Sequence, residues 1–239
     1  MTASNRFPHT VSIDMSAYGH PGLRFSHEEV LKHLAPRLTA ERWAKIQKVV
    51  SNRTCDVTPV LENIYDRGNI SAVFRSSEAF GFQNVNVIEL GEKFKESQRV
   101  TAGAEKWLDI VRYKQTVTAV AAIREKGYQI LATHLDGDAK PLAQMDLSKP
   151  TAIVFGNEKD GISPDMIELC DATVILPMRG FVQSYNISVA AAIAFQTISS
   201  HREQAGVKVD LTEEQRRILE AHYCLRTLDN AVEILTRLI

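Results

Sequence analysis

From Asp56 to His201 short β-rich runs keep alternating with helical patterns, and this rhythm restricts the possible folds more than any other feature of the chain. Apolar, β-branched stretches stand at 57–63, 84–90, 108–113, 128–134, 151–155 and 173–176. Helical periodicity follows Asn69, covers 116–126, and returns after Ser163 and after Tyr185. Strands that read as unbroken apolar runs are buried on both faces. Strand–helix repetition around them builds an α/β fold, a mostly parallel sheet with helices on both faces. Ligands of such sheets bind beyond the carboxyl ends of the strands, so the loops after strands are where chemistry is expected.

Outside that region the pattern changes. Residues 1–53 form an N-terminal tail and helical extension. Pro8, Gly19, Pro21 and Gly22 make the first thirty residues irregular, and Ser26 with Glu29 spells a capping box. After Pro36 a second helix carries Trp43, Ile46, Val49 and Val50 on one side. Arg37, Arg42, Lys45, Lys48 and Arg53, set against Glu41 and Asp56, give this segment a basic excess that suits either an RNA contact or a solvated helix face. Residues 54–205 hold the α/β domain. Residues 206–239 read as a C-terminal extension of one long helix, opened by a Thr212–Gln215 capping box. Its apolar side, with Ile218, Leu219, Leu225, Leu228, Val232 and Leu235, is expected to pack on the domain or on a partner subunit.

Composition removes several classes of function. The longest strictly apolar run, 189–195, is far too short to span a bilayer, and the N-terminus carries neither an apolar signal core nor a run of arginines. No membrane association is expected. Cys55, Cys170 and Cys224 stand far apart with no CxxC, which argues against a disulfide framework and against structural zinc and fits a reducing, cytoplasmic location without a metal. A formal net charge of −1 leaves nucleic acid open, because a local basic stripe does not show in the sum.

Three post-strand loops stand out. In ENIYDRGNISAVFRSS, Asn63 follows a strand, Gly68 loosens the turn and Asn69 stands where a helix N-cap belongs. Arg75 then lies beside Ser71 and Glu78, and its plainest reading is a surface ion pair with Glu78. In IVFGNEKDGISPDM, Gly156 and Gly161 bound a turn around Glu158, and Ser163-Pro164-Asp165 supplies an N-cap, a first-turn proline and an acidic first turn. This loop has neither the GxGxxG nor the Gly-Lys-Ser/Thr pattern of a phosphate cradle. It suits a neutral base such as adenine, or a plain strand-to-helix turn. In ILPMRGFVQSYNISVAAAIAF, a polar segment interrupts an otherwise core-grade sequence.

Together the loops are more specific than any one of them. Asn63-(five residues)-Asn69-(five residues)-Arg75, then GNEKDG, then LPMRG-(three residues)-SYNISVA resemble, in order and spacing, the three motifs of the SpoU/TrmH group of SPOUT RNA methyltransferases. The similarity runs over about residues 54–204, including TAGAEKW at 101–107 and KPTAIVFG at 149–156, and looks like the tRNA guanosine 2'-O-methyltransferases of the group. The resemblance implies that the C-terminal part of the sheet is threaded as a deep trefoil knot, an exception to ordinary connectivity that periodicity cannot reveal. It also implies a homodimer that binds S-adenosylmethionine and acts on RNA, most specifically tRNA.

By the same resemblance the cofactor meets Phe155, Gly156, Asn157 and Gly161 of the second loop. From the third it meets Leu176, Gly180, Ser184, Tyr185 and Asn186, with Ile175 and Met178 flanking the adenine. Arg75 activates the ribose hydroxyl; Asn69 and Asn186 orient it or the sugar. Glu158 organises the second loop or a partner arginine, and Ser184 caps the last helix and lines the site. Arg67 joins the basic residues of the N-terminal extension as an RNA contact. Arg179, where relatives often carry an apolar residue, meets the cofactor carboxylate, RNA or solvent. The expected activity is methyl transfer to a ribose 2'-hydroxyl, at guanosine 18 of tRNA. Ribosomal RNA or another tRNA position is the alternative substrate, and a non-catalytic RNA-binding protein with the knotted fold is the alternative class. The chemistry is an in-line displacement in which the hydroxyl loses its proton as it attacks a sulfonium methyl.

Overall fold

A computed structural model of the chain describes residues 5–89, 103–208 and 211–237. Leu90, the expected end of the second strand, and Thr101 and Ala102 of TAGAEKW lie outside these residues. The chain divides into two compact units: residues 54–208, and a unit in which the N-terminal segment through Arg53 joins the C-terminal segment.

In the terminal unit the segment expected to be irregular holds two short strands, β1 (Ser12–Asp14) and β2 (Arg24–Ser26), paired antiparallel with Ile13 opposite Phe25. Three-residue strands are too short to display a period, and the connection turns at Gly19 and Gly22, both at φ 85°. Helix α1 (His27–Leu34) opens with the Ser26–Glu29 capping box, and α2 (Ala40–Val50) buries Ile46 and Val50. Arg53 corrects the sequence reading. It lies beyond α2, is 0% exposed, and its guanidinium sits 5.8 Å from the Tyr223 ring centre. A buried, ring-stacked arginine cannot meet RNA phosphates from the basic face.

The second unit follows the expected rhythm. Its elements are β3 (Val57–Glu62), α3 (Arg67–Ala79), β4 (Asn84–Ile88), β5 (Asp109–Tyr113), α4 (Thr116–Glu125) and β6 (Gln129–Thr133). They continue with β7 (Lys140–Pro141), β8 (Thr151–Phe155), α5 (Pro164–Leu169), β9 (Ala172–Ile175) and α6 (Ile187–Gln204). The seven strands form one sheet in the order β5-β4-β3-β8-β6-β9-β7, and every pairing is parallel. Alternate residues of each central strand enter separate cores. Leu61, Ile153 and Phe155 pack with Val73 and Phe74 of α3 and Phe195 of α6, whereas Val60, Ala152 and Val154 pack with Val120 and Ile123 of α4 and Met166 of α5. Every residue of the central strands β3 and β8 is buried, because both faces of the sheet are covered there.

The C-terminal segment is two helices where one was expected: α7 (Glu213–Thr227), opened by the Thr212–Gln215 capping box, and α8 (Ala231–Thr236). Leu228 is extended (φ −96°, ψ 118°), and Asp229-Asn230 behind it favours a turn over a helix interior. α7 packs on α1 within the terminal unit, where Ala221, Cys224 and Leu225 join Val30, Leu31 and Leu34.

Candidate active site

β3 and β8 run side by side with Leu61 opposite Phe155, so the first two motif loops leave the carboxyl edge of the sheet together. The first turns at Asn63, whose φ of 53° is the one positive value at a non-glycine position among the described residues. Asparagine tolerates this left-handed geometry. Its carbonyl accepts from Asn157 Nδ2 at 2.7 Å, which ties the first loop to the second.

Helix α3 starts before the expected cap. Asp66, not Asn69, is the N-cap, and its carboxylate accepts from the Gly68 and Asn69 amides at 2.6 and 3.3 Å. Both residue types can cap, and a negative charge is favoured at the positive end of a helix. Asn69 is thereby released from capping. Its Nδ2 donates to Glu158 Oε1 at 2.7 Å, and its Oδ1 accepts from Asn186 Nδ2 at 3.1 Å. The polarity of this line is determined at one end. Asn186 is the N-cap of α6 and commits its Oδ1 to the Ser188 amide and hydroxyl. Only its Nδ2 is left for Asn69, so Asn69 must turn Oδ1 toward Asn186 and Nδ2 toward the carboxylate. This assignment also corrects Ser184: the cap belongs to Asn186, which directly precedes the first helical residue.

In the second loop Asn157 acts as an internal brace. Its Oδ1 accepts from the Lys159 and Asp160 amides at 2.7 and 3.0 Å, and its backbone exchanges hydrogen bonds with Gly161 at 2.8 and 3.0 Å. Gly161 sits at φ 71°, and a Cβ on Gly156 would come within 2.3 Å of the Gly161 oxygen. Ser163 caps α5 with Pro164 at its first position, as the sequence predicts. Behind the loop lies a residue that sequence reasoning missed. Glu62, 1% exposed at the end of β3, accepts from Ser163 N at 2.9 Å, Ser163 Oγ at 2.7 Å and Thr116 Oγ1 at 2.8 Å. Three donors compensate the cost of burying that carboxylate.

The second and third loops enclose a cleft of about 590 Å³, within the range of small-molecule sites. Phe155, Gly156, Asn157, Glu158 and Gly161 line it from the second loop. Ile175, Leu176 and Met178 line it before the turn of the third loop, and Ser184, Tyr185 and Asn186 after it. Gly180 does not line it. The Tyr185 hydroxyl donates to the Pro177 carbonyl at 3.3 Å and draws the two limbs together, so that Arg179, Gly180, Phe181 and Val182 are exposed. Thr133, His134 and Leu135 also line the cleft. The one signal for them was their place at the carboxyl end of β6, since no motif marks them. Beside His134, burial opposes ionisation of Asp136, but the Asp138 and Ala139 amides and the Thr173 hydroxyl outweigh it and hold the carboxyl below its usual range.

Arg75 is exposed on α3 and does not line the cleft. The expected ion pair with Glu78 does not form, and no hydrogen bond or ion pair reaches Arg75 among the described residues. Of the basic residues considered for RNA, Arg37, Lys45 and Lys48 are exposed, whereas Arg42 and Arg67 are half-buried. Among the described residues no group of three or more His, Cys, Asp or Glu side chains could hold a metal ion, and no helix is long and apolar enough to cross a membrane.

Comparison with known proteins places this geometry. Residues 56–196 match the SpoU rRNA Methylase family. The tRNA (guanosine(18)-2'-O)-methyltransferase of Borreliella burgdorferi is 34% identical over 206 residues, 85% of this chain and 94% of the relative. The enzyme of the same description from Escherichia coli K12 is 32% identical over 188 residues, 76% of this chain and 82% of the relative. Among solved structures, the TrmH/SpoU tRNA modifying enzyme of A. aeolicus superposes with a TM-score of 0.69 at 30% identity, covering 77% of this chain and 95% of that one. The SpoU methyltransferase AviRb of Streptomyces viridochromogenes, in complex with the cofactor AdoMet, gives a TM-score of 0.54 at 26% identity, covering 62% and 60%. With more than half of its length matched and its three motif loops tied into one site, the chain belongs to the SpoU rRNA Methylase family.

Proposed function

We propose that this chain is an S-adenosylmethionine-dependent RNA ribose 2'-O-methyltransferase acting on guanosine 18 of tRNA, in the cytoplasm and as a homodimer with a knotted cofactor site. The observation that carries the reading is the hydrogen-bonded line Asn186–Asn69–Glu158, which joins all three motif loops at the cleft. The relatives described as tRNA (guanosine(18)-2'-O)-methyltransferases support the substrate.

The cleft fits the methyl donor. Its walls combine apolar side chains (Phe155, Ile175, Leu176, Met178) with the backbone of a glycine-bounded loop, surroundings that suit an adenine ring. Bound there, S-adenosylmethionine supplies a methyl group made electrophilic by its sulfonium. The protein's task is to place a ribose hydroxyl in line and stabilise the charge that develops on it. Glu158 keeps one carboxylate oxygen on Asn69, which holds the second loop against α3 while Asn186 anchors the start of α6. The guanidinium of Arg75 offers donors and no acceptor. It acts by donating hydrogen bonds to the forming alkoxide or to the adjoining phosphate, which takes the proton. Its exposure outside the cleft of its own chain favours action at the cleft of the partner subunit. Exposed Tyr185, Val189 and Ile193, around the start of α6, offer an apolar face for that partner.

The test is incubation with methyl-labelled S-adenosylmethionine and total tRNA or ribosomal RNA, followed by mapping of the labelled ribose. Label at guanosine 18 is expected; label in ribosomal RNA would reassign the substrate, and cofactor binding without transfer to any RNA would overturn the reading. Arg75→Ala should abolish turnover and leave cofactor affinity nearly intact.

A further inference from the structure

Arg179, Gly180, Phe181 and Val182, the tip of the third loop, lie outside the lining of the cleft, and the exposure of this tip is extreme. Phe181 is 107% exposed and Val182 67%, and Phe181 is the most exposed of the large hydrophobic residues described. One exposed apolar side chain is ordinary, but these two are adjacent and stand on a braced loop. The Tyr185–Pro177 hydrogen bond closes the base of the loop, and the Asn186–Asn69 bond anchors its far end. The tip therefore sits at the rim of the cleft, two residues before Gln183 and three before Ser184 in the case of Phe181, both of which line it. Arg179 stands on the same tip, exposed and outside the cleft, and no carboxylate pairs with it among the described residues.

An exposed aromatic side chain two residues from an exposed guanidinium on one loop is a combination that suits single-stranded RNA: the ring stacks on an unstacked base and the cation meets a phosphate of the same strand. A ribose hydroxyl can reach a recessed methyl donor only if its nucleotide leaves the surrounding structure, which exposes a base at this rim. We propose that Phe181 is a substrate-positioning residue that stacks on an unpaired base of the RNA next to the methylated ribose, with Arg179 on the adjoining phosphate. The proposal rests on the RNA-methylating reading of the cleft and deepens it. A second copy of the chain is the competing occupant of the tip, and the unpaired charge of Arg179 on the same tip favours RNA.

The test compares Phe181→Ala, Phe181→Leu and Phe181→Trp with the wild type in three measurements: tRNA affinity by fluorescence anisotropy, KM and kcat for tRNA, and mass in solution by light scattering. Stacking predicts that Ala and Leu weaken tRNA binding and raise KM by about tenfold, with cofactor affinity and mass unchanged, and that Trp restores both values. Leu performing as well as the wild type would overturn the proposal, because leucine keeps the apolar bulk without a π-face. A fall in mass with Ala or Leu would also overturn it and assign the tip to a subunit interface. Absence of methyl transfer by the wild type would refute the proposed function alone, since the anisotropy measurement still decides the role of Phe181.

Discussion

Asn69→Asp exchanges one NH₂ group for an oxygen at nearly constant shape, so its effect isolates the direction of the hydrogen-bonded line. In the wild type Nδ2 donates to Glu158 Oε1 at 2.7 Å. The variant loses that donor and sets two carboxylates against each other, while the bond from Asn186 survives because an aspartate oxygen still accepts it. A hydrogen bond to a charged group contributes about 1.5–3 kcal/mol. Glu158 is exposed, so about 1 kcal/mol is the appropriate share here. Repulsion between unit charges about 4 Å apart in water adds about 1 kcal/mol. The sum of about 2 kcal/mol corresponds to a loss of about 30-fold in kcat/KM if the line positions the reacting groups. Adding Glu158→Gln to Asn69→Asp reverses the polarity of the bond, with the introduced glutamine amide donating to the introduced aspartate, and should recover most of that loss. Steady-state methyl transfer to tRNA, with calorimetric cofactor binding as a control, measures both variants. A double variant as impaired as the product of the two single variants would refute the coupling.

Three further perturbations bear on the scaffold. Gly156→Ala would drive a Cβ to 2.3–2.5 Å from backbone atoms of Gly161 and Ile162, none of which can rotate away, so the loop must shift; a displacement of this kind should weaken cofactor binding by about tenfold or more, read by calorimetry. Glu62→Gln turns one acceptor into a donor facing either the Ser163 amide or a hydroxyl, which should cost about 2 kcal/mol and lower Tm by about 5 °C in a thermal melt. Burial pushes the Glu220 carboxyl above its usual range, with Arg217 opposing and Glu213 adding to the shift. A raised acid binds its proton more tightly in the folded state, so its contribution favours folding below the unfolded pKa and is lost as pH rises through the folded one. Glu220→Gln should therefore raise Tm at pH 7 to 8 and change little near pH 4; an equal effect at both would refute the assignment.

What was legible in the sequence is what local chemistry determines. Strands β3, β4 and β8 showed in the sequence because they are buried on both faces, and Ser163-Pro164-Asp165 announced its helix because cap, proline and acid all act within one turn. The two-residue β7 and the three-residue β1 and β2 are too short to carry a period. Glu62 was missed because its partners lie 54 and 101 residues away, where no local pattern distinguishes a braced carboxylate from a strand-end one. Arg53 was misplaced for the same reason: spacing set it beside the basic helix face, and the Tyr223 ring it lies against is 170 residues away.

The cap of α3 shows how a local error can conceal a functional assignment. Asp66 and Asn69 are both competent N-caps at plausible spacing, and propensity alone does not choose between them. If Asn69 capped the helix, its oxygen would be spent on a backbone amide and could not accept from Asn186. With the carboxylate of Asp66 taking the cap, both ends of the Asn69 amide become available, and the geometry uses both. A single amide between an amide donor and a carboxylate acceptor links three segments in one polarity, which neither a serine nor an aspartate at that position can reproduce: serine is too short, and aspartate lacks the donor. At Asn69 the motif thus requires a place in the first turn of α3, facing the second and third loops, with the helix cap supplied by Asp66.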